Sequence, residues 1–473
     1  MAAPLTPPCT GRWTSLNPIC VNTYTWRTIF CSRAPSRLTM ATANLDSTAE
    51  QLRRYEQRMA RLLTAFISSG LVYLLGPGSF LGLWNLFAIS QQHAPFAVTA
   101  TWLQAHGHAE VYGWVGSFIL GIGLHSLTRR HRTRVNFAWA WTCWAVWTGA
   151  IGMRWFTGVY DWHWRLLLPA SAALELFAYG IFQTTVRKAH KRVPGQPREP
   201  LPGWVMLVLT GALGFGLTLV VNLAGAIHQA GWGASAAFPP WWDRRMVELM
   251  TWAFLAPFVF GFSTRWLPVF AGLRPSRDWV PRALAPILAA GAIAMLAGWW
   301  LPGAFLWAAA AAIAVTGLHI FRPAIAKAKT QNIHPTFPWF LRFAYGWLVV
   351  SAALGLWSAF SPANTGLTGA GRHAFTVGFI ATMVLTIGQR VLPAFAGMKL
   401  LHSPALMFIS LASLEIGCLL RVSGELLAYP GWWPIAWSWL PFSAGLEITA
   451  FTLFAYNLAR TLASPPAHLR AAA

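Results

Sequence analysis

Apolar stretches follow one another along almost the whole chain, each long enough to cross a bilayer and each separated from the next by a short polar break. A membrane helix needs roughly 20 predominantly apolar residues. On that measure the pattern predicts twelve spans, near residues 62–88, 99–124, 137–156, 164–185, 203–227, 246–268, 282–301, 304–320, 339–359, 373–395, 402–420 and 433–459. The expected fold is all-α: a polytopic membrane protein with one membrane domain over 61–460.

The two ends break the pattern. Residues 1–39 hold no apolar run long enough for a signal peptide or a span, and their mix of Pro, Thr, Cys and Trp has no period. At Met40 the character changes to a polar, helix-forming stretch that leads into the first span. Residues 1–60 are therefore expected to form a cytoplasmic, disordered segment, with Met40 as the native start and 1–39 not native. Residues 461–473 read as a short cytoplasmic tail.

Composition agrees with the pattern. The chain is 56% hydrophobic and 10% charged, against about 25% charged for soluble globular chains, so it cannot coat a water-soluble surface. A net charge of +22 could suggest nucleic acid. The basic residues, however, are spread through the loops between spans. With the N-terminus inside, only Arg154, Arg165, Arg244, Arg245, Arg372 and Arg421 of the 35 Lys and Arg fall outside. This asymmetry obeys the positive-inside rule, places both termini in the cytoplasm, and makes lipid rather than nucleic acid the partner. Tryptophan-rich outer segments such as DWHW (161–164) and PPWWDRR (239–245) suit an interfacial aromatic belt. Cys9, Cys20 and Cys31 lie near the N-terminus and Cys143 and Cys418 within spans, so neither a disulfide framework nor a metal cluster follows.

The spans also repeat. HAEVYGWVGSFILGIGLH (108–125) aligns with HAFTVGFIATMVLTIGQR (373–390) at an offset of 265. The spans after these end in Arg154 and Arg421, and PASAALELFAYGIF (169–182) aligns with PFSAGLEITAFTLF (441–454), superposing Glu175 on Glu447. STRWLPVFAGL (263–273) matches GQRVLPAFAGM (388–398) at an offset of 125, which puts Glu248 where the other copies carry His108 and His373. The result is a pseudo-threefold repeat of four-helix units. A transporter of the major-facilitator type would show two halves of six.

Six histidines fall on the outer side: His93, His106, His108, His163, His228 and His373. His106, His108 and His373 are expected to open helices, and His228 to end one. Imidazole is the commonest metal ligand, and polar groups at membrane depth need partners. His106 and His108 lie two residues apart, about 200° around a helix, so they would address different centres. Each could instead be an interfacial hydrogen-bonding residue. Arg154, Arg372 and Arg421 either snorkel to headgroups or grip the carboxylates of a haem. Glu175, Glu415 and Glu447 lie mid-span, as a proton path or as acids hydrogen-bonded between helices. Glu110 and Glu248 are candidate second partners that orient histidines.

With AHGHAEVYGW, GFSTRWLPVFAGL and GRHAFTVGFIATMVLTIGQRVLPAFAG in hand, the chain resembles the NnrS family over roughly residues 60–460. The resemblance implies a twelve-helix protein of the bacterial inner membrane that contains haem and copper and is linked to the nitric oxide response. It implies metal-centre ligands at His106, His108 and His373. The expected arrangement has His108 and His373 as axial haem ligands, His106 with His163 or His228 at a second metal, and Arg154, Arg372 and Arg421 on the haem carboxylates. A small diatomic such as nitric oxide is the expected ligand. Three arcs of four helices also resemble the haem-copper oxidase catalytic subunit, but the chain has no adjacent His-His pair, and a redox enzyme would also need an electron-donor protein. The remaining alternative is a cofactor-free secondary transporter.

Overall fold

A computed structural model of the chain describes residues 35–130, 135–189, 201–397 and 399–464. The expectations for residues 1–34 and for the tail beyond 464 lie outside the described residues. The chain divides at Tyr55, and the membrane unit is Glu56–Ala473.

The described residues contain no strand and form twelve long helices. They are α1 (Glu50–Gln92), α2 (100–130), α3 (Phe137–Tyr160), α4 (Trp164–Ala189), α5 (Gly203–Trp232), α6 (Pro240–Ala271), α7 (Trp279–Leu296), α8 (Trp300–Gly317), α9 (Phe337–Phe360), α10 (Thr365–Phe395), α11 (Pro404–Ala428) and α12 (Trp439–Ala463). Each expected span coincides with one of them. Nine, α1 and α4 to α11, are long and apolar enough to cross a membrane. Local chemistry sets several starts: Asn136, Asn364 and Ser403 accept backbone N–H bonds at the first turns of α3, α10 and α11, which satisfies donors that have no intrahelical partner.

The helices close a ring of three four-helix units. Within units α3 packs along α4, α7 along α8 and α11 along α12; between units α4 meets α5, α8 meets α9, and α12 meets α1. The second helix of each unit carries a π-helical segment: Ala109–Gly116 in α2, Leu249–Leu255 in α6 and Ala374–Ala381 in α10. These begin immediately after His108, Glu248 and His373, the three residues that the repeat superposes. The sequence repeat is thus also a repeat of backbone geometry, and of a rare kind that is frequent at functional sites. A fourth π segment, Leu74–Phe80 with Pro77 inside it, interrupts α1.

One expectation about these helices is corrected. His106, His108 and His373 do not open helices: α2 starts at Ala100 and α10 at Thr365. The glycine-rich lead-in TGLTGAG is helical because α10 packs closely on α11. A Cβ at Gly366 would lie 2.7 Å from the Glu425 carbonyl oxygen, and one at Gly369 2.8 Å from Glu425 Oε2. The histidines therefore sit inside the bundle.

A still closer approach joins α5 to α6, where a Cβ at Gly214 would stand 1.8 Å from the Ala253 carbonyl oxygen in the π segment. Backbone cannot yield as a side-chain tip can. Gly214→Ala is expected to destabilise the bundle by about 3 kcal/mol or more, at or above the upper end of ordinary overpacking costs, read as a lower melting temperature in detergent. A melting curve like that of the wild type would show that the helices separate readily here.

Candidate functional site

A cavity of about 560 Å³ lies among the helices that carry the repeat, with walls mainly from α1, α2, α6, α10, α11 and α12 and single residues from α3 and α5. Its volume is within the roughly 300–1,000 Å³ of small-molecule and cofactor sites. His106, His108, His373, Arg154, Arg372 and Arg421 all line it. Residues far apart in the sequence are thus brought to one place, including every residue expected to grip a haem.

Each of the three histidines is held at one ring nitrogen. On α2, His106 Nδ1–H donates to the Gly78 carbonyl at 2.9 Å, on the π segment of α1. A carbonyl can only accept, so the neutral ring keeps its lone pair at Nε2. The approach needs glycine, because a Cβ at Gly82 would stand 2.7 Å from His106 Cε1. His108 turns to the other side of α2, as the wide angle between the two residues requires. Its Nε2 is 2.8 Å from Glu175 Oε1 on α4, and Asn222 Nδ2 donates to Glu175 Oε2 at 3.3 Å. With Glu175 as the carboxylate, the His108 lone pair is at Nδ1.

On α10, His373 Nδ1 donates to the Gly369 carbonyl at 2.9 Å and faces Glu425 Oε2 at 3.1 Å. Arg421 Nη2 donates to His373 Nε2 at 3.0 Å, and Arg421 Nε is 2.9 Å from Glu425 Oε1. His373, Arg421 and Glu425 form a closed triad across α10 and α11. A histidine whose second nitrogen donates to a carbonyl or carboxylate is oriented as metal-binding histidines are.

The arginines differ in how far they are neutralised. Arg421 is paired with Glu425, although its Nη1 is buried without a partner. Arg154 is 2% exposed; its Nε lacks a partner, and its guanidinium lies 5.4 Å from the centre of the Phe238 ring. Arg372 Nε is also buried and unpartnered. Asp243, which lines the cavity too, is within electrostatic reach of both Arg372 and Arg154. Buried cations with unused N–H groups suit an anionic ligand group.

The other two histidines are elsewhere. His163 is exposed at the turn between α3 and α4, with a left-handed φ of 42°, beside Trp162. His228 is exposed near the end of α5, against Trp232 and Trp242. Neither lines the cavity, so neither joins His106 at a second metal. Among the described residues no group of three or more His, Cys, Asp or Glu is placed to hold a metal ion.

The acids also sort differently from expectation. Glu175 and Glu425 orient the histidines, whereas Glu110 accepts from Ser79 at 3.0 Å and Glu248 from the Trp307 indole at 3.2 Å. The sequence signal for Glu425 is its i, i+4 spacing from Arg421. Asp243 lies in the PPWWDRR segment, whose tryptophans suit an interface.

The family model described as NnrS protein matches residues 65–465 of the chain. No protein of curated function matches it.

Proposed function

The chain belongs to the NnrS family, and from that footing we propose that it binds haem in the central cavity and serves in the response to nitric oxide or in protection from nitrosative stress. The observation that carries this proposal is the convergence of His106 and His373 on one cavity, each tethered at Nδ1 so that Nε2 is the acceptor nitrogen, with buried, under-neutralised arginines in the same walls.

Bound haem would supply an iron that meets a small diatomic ligand. The protein's own part is to orient and to neutralise. Gly78 and the Gly369–Glu425 pair fix the rings of His106 and His373, Glu175 fixes His108, and Arg154, Arg372 and Arg421 offer N–H groups to the haem carboxylates. His106 would hold the iron better than His108, whose Nε2 is spent on Glu175. Arg421 would exchange its bond to His373 Nε2 for one to a carboxylate. Copper is not part of this proposal, because the residues expected to hold it lie apart. The cellular setting we propose is the bacterial inner membrane, with both termini cytoplasmic.

The test is an optical spectrum, oxidised and dithionite-reduced, of protein purified in detergent from haem-replete cells. A Soret band that shifts with nitric oxide is expected; its absence would make cofactor-free transport through the same cavity the better account. The glycine contact gives a finer check. Gly82→Ala places a methyl against His106, and the Soret band is expected to shift or weaken while expression and melting temperature hold. An unchanged spectrum would take His106 out of the site.

A further inference from the structure

A second, smaller cavity of about 50 Å³ lies between α6, α8, α9 and α10, and it adjoins the large one, since Arg244, Arg372, Thr251 and Thr368 line both. Its volume is several times the roughly 10–15 Å³ a single water requires on this measure, room for a small polyatomic ion but not for a haem. The charged residues in its walls are Arg244, Arg372 and Glu248. Glu248 is within electrostatic reach of both guanidinium groups, and Asp243, which also reaches Arg372, is shared with Arg154. Even with Glu248 ionised, the annex keeps an excess of positive charge.

Both arginines have donors to give. Arg372 Nε is buried without a partner, which is costly until an acceptor is supplied. Arg244 is engaged through its face, its guanidinium carbon 4.2 Å from the centre of the Trp300 ring; such stacking leaves the in-plane N–H fork free to bond. The adjacent Arg245 differs, because its Nε and Nη1 donate to the Leu296 and Trp241 carbonyls. The hydroxyl groups add one donor more. Ser351 and Thr251 donate to the Gly371 and Val247 carbonyls, but Ser358 and Thr368 bond each other at 2.8 Å, and whichever of them donates, the O–H of the other is left for a ligand. Ring surface completes the walls, with Trp252 stacked on Trp307 and set against Phe375. Surroundings of low dielectric strengthen charge-assisted hydrogen bonds.

We propose that this annex binds a small planar oxyanion of single charge, held between the guanidinium forks of Arg244 and Arg372, with the spare O–H of the Ser358–Thr368 pair as a further donor. Two sources share that chemistry: a free ion of the nitrite or nitrate kind, and a carboxylate of the haem, reaching in from the main cavity. Arg372 stands in the wall between the cavities, and a guanidinium has N–H donors enough to serve both sides. The site itself does not rest on the haem reading; only the second source does.

The test titrates the full chain, purified haem-free in detergent, with nitrate and with bromide by calorimetry. The wild type is expected to bind both, and Arg244→Gln to bind each roughly tenfold more weakly, equivalent to about 1.4 kcal/mol. Arg244→Lys keeps the charge but not the fork; it should fold as the wild type does, hold bromide within about twofold and lose nitrate affinity roughly tenfold. Bromide-soaked crystals of the wild type should show anomalous density between Arg244 and Arg372. No nitrate binding by the wild type, equal nitrate affinity in the wild type and both variants, or bromide found only elsewhere would overturn the site. Repeating the titration on haem-loaded protein separates the sources: nitrate binding that survives loading marks a free ion, and binding abolished by loading marks a haem carboxylate seated in the annex. Nitrate bound by protein that takes up no haem would leave the site standing and count against the haem reading alone.

Discussion

Protein carrying His106→Ala or His373→Ala is expected to fold and to lose most of its haem absorbance, whereas His163→Ala and His228→Ala should keep it in full. The division follows from placement: the first two line the central cavity, and the second two are exposed against tryptophans outside it. His108→Ala discriminates further. Its Nε2 is committed to Glu175, which is itself completely buried, so the substitution leaves a carboxylate without its partner and should lower stability more than it lowers haem content. Haem content per protein, read as Soret absorbance over protein absorbance, settles the matter. Full occupancy in both His106→Ala and His373→Ala would remove the two ligands on which the proposal depends.

The triad of His373, Arg421 and Glu425 gives the second large effect, with stability and binding moving separately. Arg421→Met leaves Glu425 buried without its cation, and breaking a buried ion pair from one side costs about 3–5 kcal/mol. The double variant Arg421→Met/Glu425→Leu removes both charges and should regain much of that loss, because apolar groups of similar volume can replace a buried pair without penalty. It should not regain haem, since His373 then lacks its carboxylate and a propionate would lack its arginine. Glu425→Gln, which keeps the shape and an acceptor, is expected to weaken haem binding about 10- to 100-fold, as removal of ligand-orienting partners does. Melting temperatures in detergent and haem titrations separate these outcomes. Equal losses in the single and double variants would show that the pair does not act as one unit.

The membrane fold was readable from the sequence because lipid imposes a strict rule: every backbone polar group must be satisfied within the span, so apolar runs of the right length are helices. The repeat was readable too, and the matching π segments in α2, α6 and α10 give it a structural counterpart. Helix starts were less so. Lead-ins such as TGLTGAGRH have weak helix propensity and are helical only because α11 packs against them. Among the site residues, the arginines and His106, His108 and His373 were found from depth and repeat position. Depth fixes how far a residue lies along the membrane normal but not which way it faces around the bundle, so it does not separate His163 and His228 from the cavity histidines. Glu425 and Asp243 carry no such signal, because an acid near arginines reads equally well as surface pairing. The tether from Gly78 to His106 could not be foreseen, since it depends on how closely the π segment of α1 approaches α2.

The π segments carry a consequence of their own. A helix that accommodates one residue more than its α-helical path requires is out of phase with itself on the two sides of the insertion, by about 100° of rotation for each residue. In α2 and α10 the histidines lie on the N-terminal side of that phase change, while the π segments themselves and the halves beyond them carry many buried residues. Deleting one residue from either segment would leave the C-terminal half seated and swing the N-terminal half through more than a quarter turn, carrying His108 away from Glu175 or His373 away from Glu425. The chemistry of the cavity is therefore set by a residue count as much as by residue identity, and the same count recurs in α6, where no histidine remains to be aimed.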